Sequence, residues 1–389
     1  MKSKTSTYTL IALILGAVCG LVLPEFVQAI SFIGTIYINL LKFLIGPIVF
    51  TSITVTIFNS SRNNSKLVIK AVVLFAIMFI ATFLLTSGVV VLLDPASGFS
   101  FEGSEYTSTI QEFSITDIIV NLFPSNLVTM FANNQLFAII LFSYALGYCL
   151  TKVEKGEKVA EDITVIRNAL YQILQYIMYV TPFAVFALIG NTVAQYGTVT
   201  LTVGFKYILT AYVAGILTLI FIMILPVLVL TKMKPLDFLK KVYRIWMITL
   251  TTCSSAATLP YTMKLCKEDL NIPDEVTDVV VPLGCTIHMC GGAVSFALLG
   301  LFCSSLFGIP VTLPRYLMML VSALLINMSA PGIPNGGVVI GASYLELLTI
   351  PLNFIGFYSG IYKVLDMLYT TLNVTGDITA NVILSHQKH

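Results

Sequence analysis

Apolar runs of about 20 residues, the length that crosses a hydrocarbon core of roughly 30 Å, recur along nearly all of this 389-residue chain. They fix the solvent as lipid. Only 10% of the residues are charged and 57% are hydrophobic, whereas a soluble globular domain carries about a quarter charged residues. Inside a bilayer every backbone N–H and C=O needs a partner within the protein, so such spans are helical. A net charge of +2, with no basic stripe interleaved with aromatics, gives no footing for nucleic acid. Cys19, Cys149, Cys253, Cys266, Cys285, Cys290 and Cys303 fall mostly in apolar segments, which suits buried thiols better than a disulfide frame.

The pattern predicts spans near 7–30, 36–58, 67–93, 118–150, 165–193 and 203–231. Tyr8 to Leu23, behind Lys2 and Lys4, lacks a small-x-small cleavage site before Pro24 and reads as a first span rather than a signal peptide. Basic clusters at Lys2 and Lys4, Arg62 and Lys66, Lys152 to Arg167, and Lys232 to Arg244 fall on alternate sides of successive spans. Those sides are expected to be cytoplasmic. The connection from Asp94 to Asp117 carries Glu102, Glu105 and Glu112 with no Lys or Arg, as an outer loop would.

After Lys232 the pattern changes. Residues 236–268 and 313–349 are apolar, but each is broken by small residues and proline, TTCSSAATLP at 251–260 and MSAPGIPNGG at 328–337. A segment of this kind lies at membrane depth as a re-entrant hairpin, its freed backbone groups buried in protein or facing a wet cavity. The span 275–306 is interrupted by HMCGG at 288–292, and the last span, 351–386, carries Asp366 and Asp377. Two hairpin-then-helix units, with two broken hairpins and two interrupted helices, give the inverted-repeat layout of a carrier.

Asp366, Tyr369, Thr370, Asn373 and Asp377 sit at i, i+3, i+4, i+7 and i+11, so all but the last share one helical stripe. Eleven residues of helix separate the two carboxylates by about 16 Å, which assigns them to different sites. An intramembrane carboxylate is costly unless paired, and solute or ion binding is its default reading. A structural pair with Lys363 is the alternative for Asp366. Ser254 to Ala257 and Gly332 to Gly337 offer half-helix amino ends with free N–H groups, which attract anions. A zwitterion with its carboxylate at these tips and Asn373, and its ammonium on Asp366, satisfies both.

SSAATLP at 254–260, PLGCTIHM at 282–289, SAPGIPNGG at 329–337 and DMLYTTLNVTGD at 366–377 resemble the dicarboxylate/amino acid:cation symporters, the glutamate transporter homologues. LKFLIGPIVF at 41–50 and TPFAVFALI at 181–189 extend the likeness over essentially the whole chain. The resemblance implies an all-α polytopic membrane protein with eight transmembrane helices, two re-entrant helical hairpins and inverted repeats, working as an elevator-type carrier. It implies a homotrimer, in contact with membrane lipid, in a bacterial or archaeal plasma membrane with both termini cytoplasmic. Scaffold helices would occupy 1–66 and 94–202, the latter including the outer loop 94–117. The transport domain would comprise 67–93 and 203–389. Cys253, Ser254 and Ser255, Met289 and Gly292, Ile333 and Gly337, and Asp366, Tyr369, Thr370 and Asn373 would touch the solute, with Pro331, Gly332, Pro334 and Gly336 in an outer gate. No cofactor is implied beyond a coupling ion, sodium, a proton or both.

Departures from the family pattern narrow these expectations. Acidic-amino-acid members carry an arginine where this chain has Tyr369 and a threonine where it has Gly292. A phenol cannot reproduce a guanidinium's two-pronged hold on a carboxylate, and a missing side chain leaves room. A neutral, larger amino acid is therefore expected, with an acidic amino acid or dicarboxylate as the alternative. The family's Asn-Met-Asp-Gly-Thr reads here His288, Met289, Cys290, Gly291 and Gly292, while sodium prefers oxygen over imidazole or thiol. That weakens the cation site built on Thr86, Ser87 and Cys290. A second cation site would use Asp377, Asn373 and the Gly284 carbonyl beside His288. A third would use backbone between Thr286 and Asn327, Met328 and Ala330. His288 also opens proton coupling. Cys285, His288, Met289 and Cys290 have some soft-metal character. Other classes are a solute-gated channel or sensor and, more remotely, an intramembrane hydrolase using Cys253 or Ser254 with His288. The second leaves both aspartates idle, and the expected protein is not an enzyme.

Overall fold

Helix is the only regular structure among the described residues, as a chain without water to bond its backbone requires. The structure, a computed structural model, describes residues 2–62, 66–98, 125–132, 135–197, 199–231, 233–327 and 336–386. The amino-terminal part comprises α1 (Lys2–Val22), α2 (Pro24–Ala29), α3 (Phe32–Arg62), α4 (Lys66–Leu93), α5 (Leu127–Ala132), α6 (Leu136–Leu150) and α7 (Gly156–Tyr196). Next come α8 (Val199–Thr218) and α9 (Leu225–Thr231), joined by a π-helical turn at Leu219–Ile224. The carboxyl-terminal part comprises α10 (Pro235–Thr252), α11 (Ser255–Lys264), α12 (Asp274–Ile287), α13 (Cys290–Leu306), α14 (Leu313–Asn327), α15 (Gly336–Leu347) and α16 (Ile355–His386).

Several boundaries depart from the sequence pattern for local reasons. The span expected at 7–30 divides at Leu23, because Pro24 lacks an N–H and opens α2 at its first position. The span expected at 165–193 starts nine residues early at Gly156, behind Lys155 in a left-handed turn (φ 61°). Within 118–150, residues 118–124, 133 and 134 lie outside the described residues, and the others include two helices, α5 and α6. The last span is not interrupted. After a 3₁₀ turn at Leu352–Phe354, α16 runs unbroken from Ile355 to His386.

Among the described residues five stretches are long and apolar enough to cross a bilayer: Pro24–Asn59, Lys66–Leu93, Gly156–Gln195, Leu201–Thr231 and Asp274–Leu306. Burial runs against hydropathy among them. The most apolar, Leu201–Thr231, has only 28% of its apolar window inside the protein, whereas Asp274–Leu306 has 83%. Apolar side chains such as Phe205, Phe183 and Val229 point outward, which is stable only where lipid replaces water. α16 falls short of the five because Lys363, Asp366 and Asp377 interrupt it, yet it is buried along nearly its whole length. It packs against α7, α8 and α10 to α13, and against α15.

Small residues bring α1 onto α7. A Cβ on Gly16 would stand 2.6 Å from the Phe186 carbonyl oxygen, and one on Gly20 would meet the Gly190 carbonyl. This is the small-xxx-small approach that lets membrane helices touch backbone to backbone. Gly20→Leu is expected to destabilise the protein by about 1–3 kcal/mol through overpacking, lowering the unfolding temperature in detergent. Val18→Leu, at a lipid-facing position 52% exposed, is the control and should leave it unchanged.

Candidate solute and cation site

The first break is made by two residues. Cys253 takes a left-handed conformation (φ 47°) and donates its N–H to the Thr249 carbonyl at 2.9 Å, closing α10. Ser254 is extended and caps α11, its Oγ accepting from the Ala257 N–H at 3.2 Å. Two polar contacts seat this hairpin on α16. Trp246 Nε1 donates to Thr375 Oγ1 at 2.9 Å, and the Thr249 and Thr371 hydroxyls meet at 2.8 Å. At the tip Lys363 Nζ donates to Cys253 Sγ at 2.9 Å.

The second break separates α12 from α13. Pro282 removes one N–H upstream, and His288 and Met289 leave helical geometry (φ −107° and −131°). Asn373 Oδ1 accepts the freed Gly291 N–H at 2.7 Å. The fit is close, since a Cβ on Gly291 would collide with the Tyr369 backbone. His288 Nδ1 lies 2.9 Å from Asp377 Oδ1, and its Nε2 lies 3.0 Å from Cys290 Sγ. A neutral imidazole with its proton on Nδ1 satisfies both, donating to the carboxylate and accepting from the thiol. Phe75 stacks on the imidazole with centroids 4.5 Å apart. Side chains are excluded on two flanks, because a Cβ on Gly284 would meet Asp377 Oδ1 and one on Gly376 would stand 2.6 Å from His288 Cε1.

Gly284, His288, Asn373 and Asp377 therefore come together, as the sequence spacing suggests. Carboxylate and thiol lie on opposite sides of the imidazole, and no group of three or more His, Cys, Asp or Glu among the described residues is arranged to hold a metal ion. The soft-metal arrangement of Cys285, His288, Met289 and Cys290 is thus not formed. Thr286 is exposed and returns its hydroxyl to the Leu283 carbonyl at 2.8 Å, which leaves its own carbonyl as the group available to an ion. Ser87 Oγ bonds back to the Phe83 carbonyl at 2.8 Å, whereas Thr86 Oγ1 is buried without a partner among the described residues. Met328, Ala330, Pro331, Gly332, Ile333 and Pro334 lie outside the described residues.

Between the two breaks is a cavity with about 530 Å³ of unoccupied space, the open solvent at its mouth included. Cys253 and Ser255 wall it from the first hairpin, Met289 and Gly292 from the second break, and Gly337 from α15. Asp366, Tyr369, Thr370 and Asn373 form the α16 wall. Ser254 stays out, committed to its cap, and Gly336 is buried at the start of α15. Asp366 is 6% exposed and its Oδ1 accepts from Thr370 Oγ1 at 3.2 Å. Tyr369 Oη and Asn327 Oδ1 are buried without hydrogen-bond partners among the described residues, the neighbouring Ser295 and Tyr207 hydroxyls standing outside bonding geometry from Tyr369. Gly292 leaves no spare room, since Asn327 Oδ1 stands where its Cβ would be. That corrects the expectation of a pocket enlarged at this position.

Sequence spacing missed four further lining residues, Ser295, Phe296, Ile340 and Tyr362. Tyr362 was within reach, being one turn before Asp366 on the same stripe. Its hydroxyl fills the space a side chain at Gly337 would need. Ser295, bonded to Tyr358 Oη at 2.7 Å, and the apolar Phe296 and Ile340 carry no signal that separates them from core.

The family model described as the sodium:dicarboxylate symporter family matches residues 6–387. The chain is 27% identical to the proton/glutamate-aspartate symporter of Bacillus subtilis, covering 99% of this chain and 95% of that protein. It is also 27% identical to the proton/sodium-glutamate symport protein of Geobacillus stearothermophilus, over 96% and 92% of the two chains. Identity to C4-dicarboxylate transport protein 1 of Ralstonia nicotianae is again 27%, over 97% and 90%. With its sequence matched almost end to end and its polar residues gathered at two helix breaks, this integral membrane protein belongs to the sodium:dicarboxylate symporter family.

Proposed function

We propose that this protein is a cation-coupled symporter that imports an acidic amino acid. The observation that carries the proposal is the cavity between the helix breaks, with the buried Asp366 carboxylate in its α16 wall and amide and hydroxyl groups around it. A carboxylate in such a place suits an ammonium. The amino end of α11 and the amide of Asn373 suit a carboxylate. A neutral solute was expected from Tyr369 and Gly292, but Asn327 fills the space at Gly292, and the named relatives act on glutamate, aspartate and C4-dicarboxylates. The acidic alternative is therefore preferred.

The coupling ion is sodium, a proton or both, as the relatives' names suggest. Around Asp377 the donor set suits a proton better, because an imidazole holds one carboxylate oxygen and a thiol lies beyond it. Sodium takes oxygen ligands. The carrier works as a homotrimer with eight spans and two re-entrant hairpins, both termini cytoplasmic. Helices in 1–66 and 94–202 form the scaffold. Residues 67–93 and 203–389 move as an elevator, α14 and α15 forming the outer gate. The packing of α16 against both hairpins, α12 and α13 supports their travelling as one unit.

Uptake into proteoliposomes under separately imposed sodium and proton gradients tests the function. Aspartate and glutamate should compete for uptake and accumulate against their gradients. Competition by neutral amino acids alone would restore the first expectation, and flux that no ion gradient drives uphill would point to a channel. Asp366→Asn should abolish amino-acid binding measured by calorimetry; undiminished affinity would place the ammonium elsewhere. Asp377→Asn should weaken the dependence of uptake on the driving cation, and an unaltered response would remove Asp377 from coupling.

A further inference from the structure

An acidic amino acid seated on Asp366 leaves a charge problem. Its ammonium balances Asp366, but its two carboxylates bring two negative charges into a buried site, and a helix amino end offsets only about half of one. Among the described residues Asp366 is the one charged residue lining the cavity. Beside whatever charge the coupling ion brings, a cation at the rim would offset this excess.

Lys363 is placed to supply it. It precedes Asp366 by three residues and Thr370 by seven on α16, so it lies on the face that walls the cavity. Its Nζ reaches the cavity-lining Cys253 at 2.9 Å. Among the described residues that sulfur is its partner, with no carboxylate at ion-pair distance. A thiol is a weak acceptor, and a lysine within a membrane helix normally finds an anion. Tyr369 Oη and Asn327 Oδ1, buried without hydrogen-bond partners among the described residues, line the same cavity and add to its capacity for a polar ligand.

We propose that Lys363, seated on Cys253, binds the second carboxylate of the solute and so sets the preference for acidic over neutral amino acids. This rests on the acidic-solute function above. Cys253 keeps the ammonium at the hairpin tip without neutralising it, as a carboxylate there would. Tyr369 leaves position 369 uncharged, so the charge is delivered from two turns earlier on the same helix.

The test compares glutamate with glutamine, which differ at the distal group alone, as competitors of labelled glutamate or aspartate binding to the purified full-length protein. Wild type should prefer glutamate. Lys363→Met should lower that preference by about 10- to 100-fold, the range for losing a hydrogen bond to a charged group, and Lys363→Arg should largely restore it. Should Lys363→Met fail to fold, Cys253→Asp supplies a second route. It keeps the lysine but pairs it internally, and the preference should fall similarly. An unchanged glutamate-to-glutamine ratio in either folded variant overturns the role of Lys363 while leaving the acidic-solute function standing. A wild type that binds neither glutamate nor aspartate overturns both.

Discussion

A helix broken at membrane depth releases N–H groups that no water reaches, and the carboxyl-terminal half of this protein is organised around supplying their partners. Asn373 takes the Gly291 N–H, Ser254 caps α11, and His288 at the second break is held by Asp377. Two of these three groups stand on α16, which is buried along nearly its whole length. Leaving a buried backbone donor unpaired costs about 1–3 kcal/mol, so the breaks persist only while α16 stays in register with them. The same register places Asp366 and Thr370 in the cavity wall.

Much of this was legible from residues alone. Apolar runs, the position of small residues and proline, and the spacing from Asp366 to Asp377 located both described breaks and the binding stripe. Periodicity says little about what fills space. It could not show that Asn327 reaches into the gap left at Gly292, or that Tyr362 backs onto Gly337, since both contacts join residues far apart in sequence. Helix ends were misjudged where one backbone event decided them, at Pro24 and at Lys155. The last helix, expected to be interrupted, is continuous because its polar residues are paid for by partners on neighbouring elements rather than by unwinding.

Tyr369 illustrates a limit of comparing sequences position by position. The loss of an arginine reads as loss of a cation, yet charge complementarity concerns where a charge ends up in space. A lysine side chain spans several ångströms, and a residue elsewhere on the stripe reaches the same region. Here the hairpin tip receives that side chain at Cys253, which converts a residue that looks incidental in sequence into part of the electrostatics of the site.

The indole that fastens the first hairpin to α16 has another consequence. Trp246 is the sole tryptophan of the chain, half-buried and hydrogen-bonded through Nε1 to Thr375, two residues before Asp377. The tryptophan emission of each chain therefore originates from a single indole at the joint between hairpin and ion site. Any rearrangement there on loading is written into one intrinsic optical signal when the indole is excited selectively, at wavelengths where the tyrosines do not absorb.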